Sequence, residues 1–405
     1  MNNRARRILK WSPLFIGVSF TLLACGHSKG DSEWILRQDP LVQKAILSTA
    51  SRSELDSPVG TPNEAEEYAD VYSSLYPDRL TDAISKDELE NVVLKVTRTF
   101  GNTKIRMSDL PITSIAAEAK SKPWSSWWFP MSERELFEAQ DHRSPLEKYD
   151  LYRKSKFRRE GSAADEERNK FSPRSVSWAG LCSEWALAST LFLEPKNQVL
   201  KGLRSGLFVR NTSVEFSPYD LKALLIKTFE GVPDSDLDYY GQKFTGDQDG
   251  WIHPDLFPEQ FHRFVEVQLF EKKQAFVMDH DAGLEIWSVP VFRANYRLEE
   301  VAGNKNAVRV RMWIYSAAPL NPNEKYNVGT KELMREYQYV LIGTRSGDDL
   351  EVTSGVWIRG ENGVDSRKDH PDYVIAMPRF DRTKRSSFNS FIDVDVVDDI
   401  LEGSF

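Results

Sequence analysis

The chain has 405 residues, 40% of them apolar and 12% aromatic, which is enough to build a sizeable core in one large domain or two. Its formal net charge of −8 excludes a general nucleic-acid surface or a surface for anionic membranes, because either needs an excess of Lys and Arg. Only two cysteines occur, Cys25 and Cys182, so a disulfide framework is excluded as well.

Arg4, Arg6, Arg7 and Lys10 precede the apolar run Leu14 to Leu23, which is too short for a permanent membrane-spanning helix. Residues 1–24 therefore read as a secretion signal. It ends in Leu22-Leu23-Ala24-Cys25, a stretch that resembles the bacterial lipobox, in which the cysteine is lipidated and becomes the first mature residue. Residues 25–35 follow as lipidated Cys25 and a polar tether. The expected location is the bacterial envelope, membrane-bound through the lipid on Cys25. In a Gram-negative host the outer membrane is expected, since Gly26 rather than an acidic residue comes next. Cys182 is then a lone thiol in an exported protein, where it is either buried and inert or put to use.

Residues 36–120 read as a helical support region: Ser85 and Glu88 have capping-box spacing, and Leu89, Val92, Val93, Val96 and Phe100 recur at helical intervals. An aromatic cluster, Pro123 to Pro130, is too irregular for a helix and too apolar for a free loop; it reads equally as a satellite core or a Trp-rich binding rim. The charged stretch Lys154 to Arg174 reads as an exposed connection. Trp185, Ala188 and Phe192 predict a helix after Cys182 that Pro195 stops. Ser217 as N-cap and Pro218 at the first position predict a second, along Leu221, Leu224, Leu225 and Phe229. A third begins at Pro258 with Phe261, Phe264, Val265 and Leu269, and Gln274 to Met278 reads as a buried strand leading into Asp279-His280-Asp281.

Residues 301–385 read as mainly β, because Val308, Val310, Met312 and Ile314 alternate with polar or aromatic neighbours, and 337–342 and 350–358 flank a Gly-Asp-Asp turn. The acidic end, 386–405, reads as a solvated tail or an edge strand. The fold class expected is α+β: a helical N-terminal layer, a central cysteine-bearing unit over 121–300 and a C-terminal antiparallel β region.

Cys182 at a helix start is placed where free N–H groups and the helix dipole favour a thiolate. Gly180 permits a tight turn and close approach of a substrate, and backbone N–H groups around Cys182 are suited to an oxyanion. A leaving amine needs a proton carrier, most often His. Among His27, His142, His253, His262, His280 and His370, the context favours His262, followed by Asp279; a Cys, His, Asp order suits a base held by a carboxylate. Asp281 is a rival to Asp279 because residues two apart share a strand face. Trp178 reads as a wall against water or as core packing.

The series Trp178-Ala179-Gly180-Leu181-Cys182-Ser183-Glu184-Trp185-Ala186, Phe216 to Leu224, Tyr240-Gly241, Phe261-His262, Ala275 to Asp279 and Glu285 to Val291 resembles the transglutaminase elicitor family, over roughly residues 120–300. The resemblance implies a papain-like or transglutaminase-like core. It also implies transfer of the acyl group of a glutamine side chain in a protein or peptide, through a Cys thioester, to an amine such as lysine. Cys182 matches the family nucleophile, His262 its histidine and Asp279 the orienting acid. Family members commonly have His-Gly after the cysteine, where this chain has Ser183-Glu184, and Trp-Asn-Gln-Pro where it has Trp287-Ser288-Val289-Pro290. The alternatives are a cysteine amidase or peptidase with water as acceptor, and a non-catalytic surface-binding lipoprotein. Asp247-Gln248-Asp249-Gly250 suggests a calcium loop, but in EF-hand register Thr245 and Leu256 take ligand places they do not suit, so no cofactor is expected.

Overall fold

In the computed structural model the described residues are 94–405, except 177–178, 205–211, 242–255, 281–285, 361–362, 368 and 378–379. They form an α+β structure of seven α-helices around one large antiparallel sheet. Its strands are β1 (Lys104–Arg106), β2 (Ile112–Glu118), β5 (Asp238–Gly241), β6 (Phe276–Asp279), β7 (Ser288–Val301), β8 (Asn304–Ala317), β9 (Glu332–Ser346), β10 (Asp349–Trp357) and β11 (Tyr373–Ala376). They run in the order β1-β10-β9-β8-β7-β6-β11-β5, and β2 also pairs with β7. The long β7 accommodates two partners on one edge, β6 along residues 288–291 and β2 along 293–298. A separate hairpin joins β3 (Val199–Gly202) to β4 (Ser213–Phe216).

Strand alternation divides the core in two. Val277, Tyr373 and Ile375 point to one face, where they pack with α2 (Pro145–Phe157), α3 (Ala163–Lys170), α4 (Cys182–Leu191), α5 (Pro218–Lys227) and α7 (Val394–Leu401). Phe276, Met278, Val374 and Ala376 point to the other, under α1 (Lys95–Phe100) and α6 (Pro258–Val265). The inward residues of β8, Val308, Val310, Met312 and Ile314, belong to this second core and are at most 1% exposed. No helix among the described residues is long and apolar enough to cross a membrane.

Local chemistry fixes the helices of the first face. Ser217 caps α5 in a capping box with Asp220, and Pro218 occupies the first turn. Ser144, Pro145 and Glu147 repeat that arrangement at α2. Two lysines of α5 are buried with partners: Lys222 lies 2.6 Å from Glu194, and Lys227 is held by Glu167 and Glu230.

Three readings of the sequence are corrected. The charged stretch 154–174 is not an exposed connection: it holds the end of α2 and all of α3, whose start is fixed by Ser162 and by Asp150 accepting from the N–H groups of Ala163 and Ala164. Residues 386–405 are not a solvated tail or edge strand. Val396, Val397, Ile400 and Leu401 bury one side of α7, while Asp393 pairs with Arg153, Asp398 with Arg385, and Asp399 accepts from Tyr152. In the described part of 36–120 the helical pattern stops at Gly101, whose φ of 74° suits glycine, and strands β1 and β2 follow. Ser85 and Leu89 to Val93 lie outside the described residues. The aromatic cluster is irregular but mostly buried: the Trp124 indole donates to the Phe192 carbonyl at 3.0 Å, and the Trp185 indole to that of Trp124 at 2.9 Å.

Candidate active site

The site assembles where three neighbouring strands meet the start of α4. Ser288 is the register partner of Asp279 at the β6–β7 junction, and Tyr373 opens β11 beside β6. Because Asp279 lies two residues beyond Val277 on β6, it projects to the same face, toward α4.

Cys182 is the first residue of α4 and is only 5% exposed. Its thiol donates to the Ile286 carbonyl at 3.4 Å, while the Ser288 backbone N–H and the Ser183 hydroxyl bond to the sulfur. The turn before it is fastened to the aromatic cluster: Leu181 N–H donates to the Trp128 carbonyl at 2.7 Å, and Met131 N–H to that of Ala179 at 2.9 Å. Gly180 makes this approach possible. A Cβ there would lie 2.7 Å from Trp128 Cδ1 and 2.9 Å from Trp128 O.

Electrostatics oppose the thiolate. Burial pushes the Cys182 thiol up to about 11, with the Glu184 charge adding to it; the hydrogen bonds from Ser288 and Ser183 pull the other way, and the nearby Asp279 carboxylate raises it further. The dipole at the start of α4 does not reverse this, so the resting group is the neutral thiol.

Asp279 is fully buried, and its Oδ1 accepts from the Trp287 N–H at 3.0 Å. A chain of hydroxyls runs beside it: Ser183 to Ser288 at 3.1 Å, and Ser288 to Tyr373 at 3.0 Å. Ser183 and Ser288 stand at two of the positions where the sequence departs from the residues common in the resembling family, and here they touch each other. Tyr373 carried no sequence signal, since nothing local ties it to Cys182. Trp128 and Trp287, whose rings are 5.8 Å apart edge to face, join the aromatic cluster to the segment over the thiol.

The structure does not bring His262 to Cys182. His262 sits on α6, fully buried in the second core, with Nδ1 2.7 Å from the Tyr339 hydroxyl and its ring against Tyr296. The sheet separates it from the thiol. Burial holds it below its ordinary pKa, as a neutral imidazole. His280 projects to the face opposite Asp279, where burial and the Arg335 charge push its pKa well down. His370 Nδ1–H donates to the Ser366 carbonyl at 2.9 Å, and its ring stacks on Trp357; His142 is exposed. Among the described residues, the groups acting on the thiol therefore include no imidazole. Cys25, His27, Trp178, Asp247 to Gly250, His253 and Asp281 lie outside the described residues. Among the described residues no group of His, Cys, Asp and Glu is suited to a metal.

A sequence model of the family described as transglutaminase elicitor matches residues 153–335. The fold is similar to the crystal structure of the GP42 transglutaminase from Phytophthora sojae, with a TM-score of 0.53 and 20% identity, covering 77% of this chain and 97% of that one. A comparison with curated protein sequences returns no match.

Proposed function

Since residues 153–335 match the model of the transglutaminase elicitor family, we propose that this chain is a cysteine acyltransferase acting on glutamine side chains, with Cys182 as nucleophile and Asp279 beside it. The observation that carries this reading is the convergence of a lone thiol at the start of α4 with a buried carboxylate and a hydroxyl chain at three strand ends. Packing of α4 against β6 and β7 supports a papain-like or transglutaminase-like core.

In the first half-reaction the Cys182 sulfur bonds to the carboxamide carbon and the C–N bond breaks. The thiol proton leaves with the nitrogen as ammonia. The N–H of Ser288 and the hydroxyl of Ser183, already directed at the sulfur, are suited to steadying charge at the reacting centre. In the second half-reaction a primary amine attacks the thioester, the C–S bond breaks, and an amine proton returns to sulfur. His262 supports the fold rather than the chemistry. Lipidation at Cys25 would hold the enzyme at the bacterial envelope, with glutamine-bearing proteins as donors and lysine amines as acceptors.

Incorporation of a fluorescent primary amine into a glutamine-rich protein, followed together with ammonia release, tests this. Incorporation that disappears in Cys182→Ala supports it; equal incorporation by the variant overturns it. Ammonia without incorporation assigns water as the acceptor and makes the protein an amidase. A second reading, a non-catalytic surface-binding lipoprotein, is favoured by one observation, the burial of the Cys182 side chain, which is only 5% exposed. No reaction in either channel across several donors selects it.

A further inference from the structure

A cavity of about 270 Å³ lies beside the turn that carries Cys182 and has no part in the steps above. Gly180, Leu181 and Glu184 form the wall nearest the nucleophile. Trp127, Phe129, Phe137 and Phe171 supply aromatic walls. The volume is below the usual drug-sized range and suits a single side chain.

Five glutamates also line it, and their charges are unequally balanced. Glu167 and Glu230 share the buried Lys227, and Glu135 holds Lys325. Lys170, the cation of the lining, is tied to Glu166 at 3.1 Å and to the Phe388 carbonyl at 2.8 Å. Glu133 has no ion-pair partner among the described residues. Burial raises its pKa and the like charge of Glu135 raises it further, while Lys325, already bonded to Glu135, offsets them only in part. A separate feature also asks for a ligand. Trp127 is 2% exposed, and its indole N–H has no hydrogen-bond partner among the described residues.

We propose that this cavity is the acceptor subsite, taking a primary alkylammonium such as a lysine side chain, with Glu133 facing the charge and accepting one proton from the nitrogen before it attacks, aromatic rings along the alkyl stem and the Trp127 N–H free for a carbonyl of the same ligand. Aromatic faces combined with a carboxylate select cations over neutral or anionic amines. The proposal rests on the acyltransferase reading, because it is the position next to Cys182 that makes the bound amine an acceptor.

The test uses the full mature chain with Cys182→Ala, so that binding is read without turnover, and follows polarisation of monodansylcadaverine. Binding is expected, weakened about fivefold by Glu133→Gln and unchanged by Glu138→Gln, whose carboxylate is outside the cavity. A dansyl probe with an uncharged pentyl chain should bind far less. Competition by a lysine-containing peptide assigns the ammonium to proteins, and competition by spermidine alone assigns it to free polyamines. Equal affinity of the Glu133→Gln chain, or equal affinity for the uncharged probe, overturns the subsite. Failure of the two ideas is distinguishable. Charge-selective binding that needs Glu133, without turnover on any donor, keeps the site and removes the enzyme; turnover whose amine KM ignores Glu133→Gln keeps the enzyme and removes the site.

Discussion

Alkylation of Cys182 should be slow at neutral pH and should accelerate steeply in alkali. Burial and the Glu184 charge push the thiol up to about 11, so the thiolate fraction near pH 7.5 is about a hundredfold below that of an unperturbed thiol. With Cys25→Ser, Cys182 is the only thiol, and iodoacetamide labelling read by intact mass reports on it alone. From pH 7.5 to 9.5 the rate should rise about tenfold per unit without a plateau, whereas the urea-unfolded chain levels off near 9. Glu184→Gln should speed labelling, because it removes a negative charge that opposes the thiolate; Asp279→Asn should act in the same direction, more weakly. The sign also fixes a stability trend. A thiol raised in the folded state contributes fully below the unfolded pKa near 9, and that contribution is lost as pH rises through about 11. A plateau below pH 8, or labelling at pH 7.5 as fast as in urea, would refute the reasoning.

Glu259 is buried at the start of α6, with its pKa raised to about 8 by burial, so the folded state favours its neutral form. Glu259→Gln should be nearly neutral at pH 4 and stabilising by about 4–5 kcal/mol above pH 8, as urea melts at the two values would show. His262→Ala should cost about 2–4 kcal/mol by opening a cavity and stranding the Tyr339 hydroxyl, yet leave amine incorporation per folded molecule intact. Gly180→Ala should cost about 1–3 kcal/mol and depress incorporation, because its Cβ drives the turn before Cys182 away from Trp128. Removing residues 394–405 takes Asp395 from Arg159 and Asp398 from Arg385 and uncovers the first core, so the shortened chain should aggregate, as size-exclusion chromatography would report.

Where punctuation and periodicity agreed, the sequence was readable. Ser217, Pro218 and the spacing of Leu221, Leu224 and Leu225 specify α5, and the alternation from Val308 to Ile314 specifies β8. Charge concealed two helices. In α7 the apolar face of Val396, Val397, Ile400 and Leu401 has helical spacing, but aspartates dominate the segment; their partners, Arg153 and Arg385, come from elsewhere in the chain. Around Arg159 and Arg168 the same masking hid α3, whose buried part is only Ala163 and Ala164.

The position of His262 was not legible for a different reason. Chain order places it between Cys182 and Asp279, but order does not say which sheet face a helix covers, and α6 covers the face opposite α4. The Ser183–Ser288–Tyr373 chain was unreadable for the converse reason, since its members come from α4, β7 and β11 and meet only through strand pairing.

The most direct test of the central claim is to trap the acyl-enzyme: incubate the protein with a glutamine-containing peptide and no amine, quench in acid, and map the adduct by mass spectrometry. An adduct on Cys182 equal to the peptide less ammonia, released by hydroxylamine and absent from Cys182→Ala, is the predicted result. Turnover with the adduct on another residue, or surviving in Cys182→Ala, would contradict it.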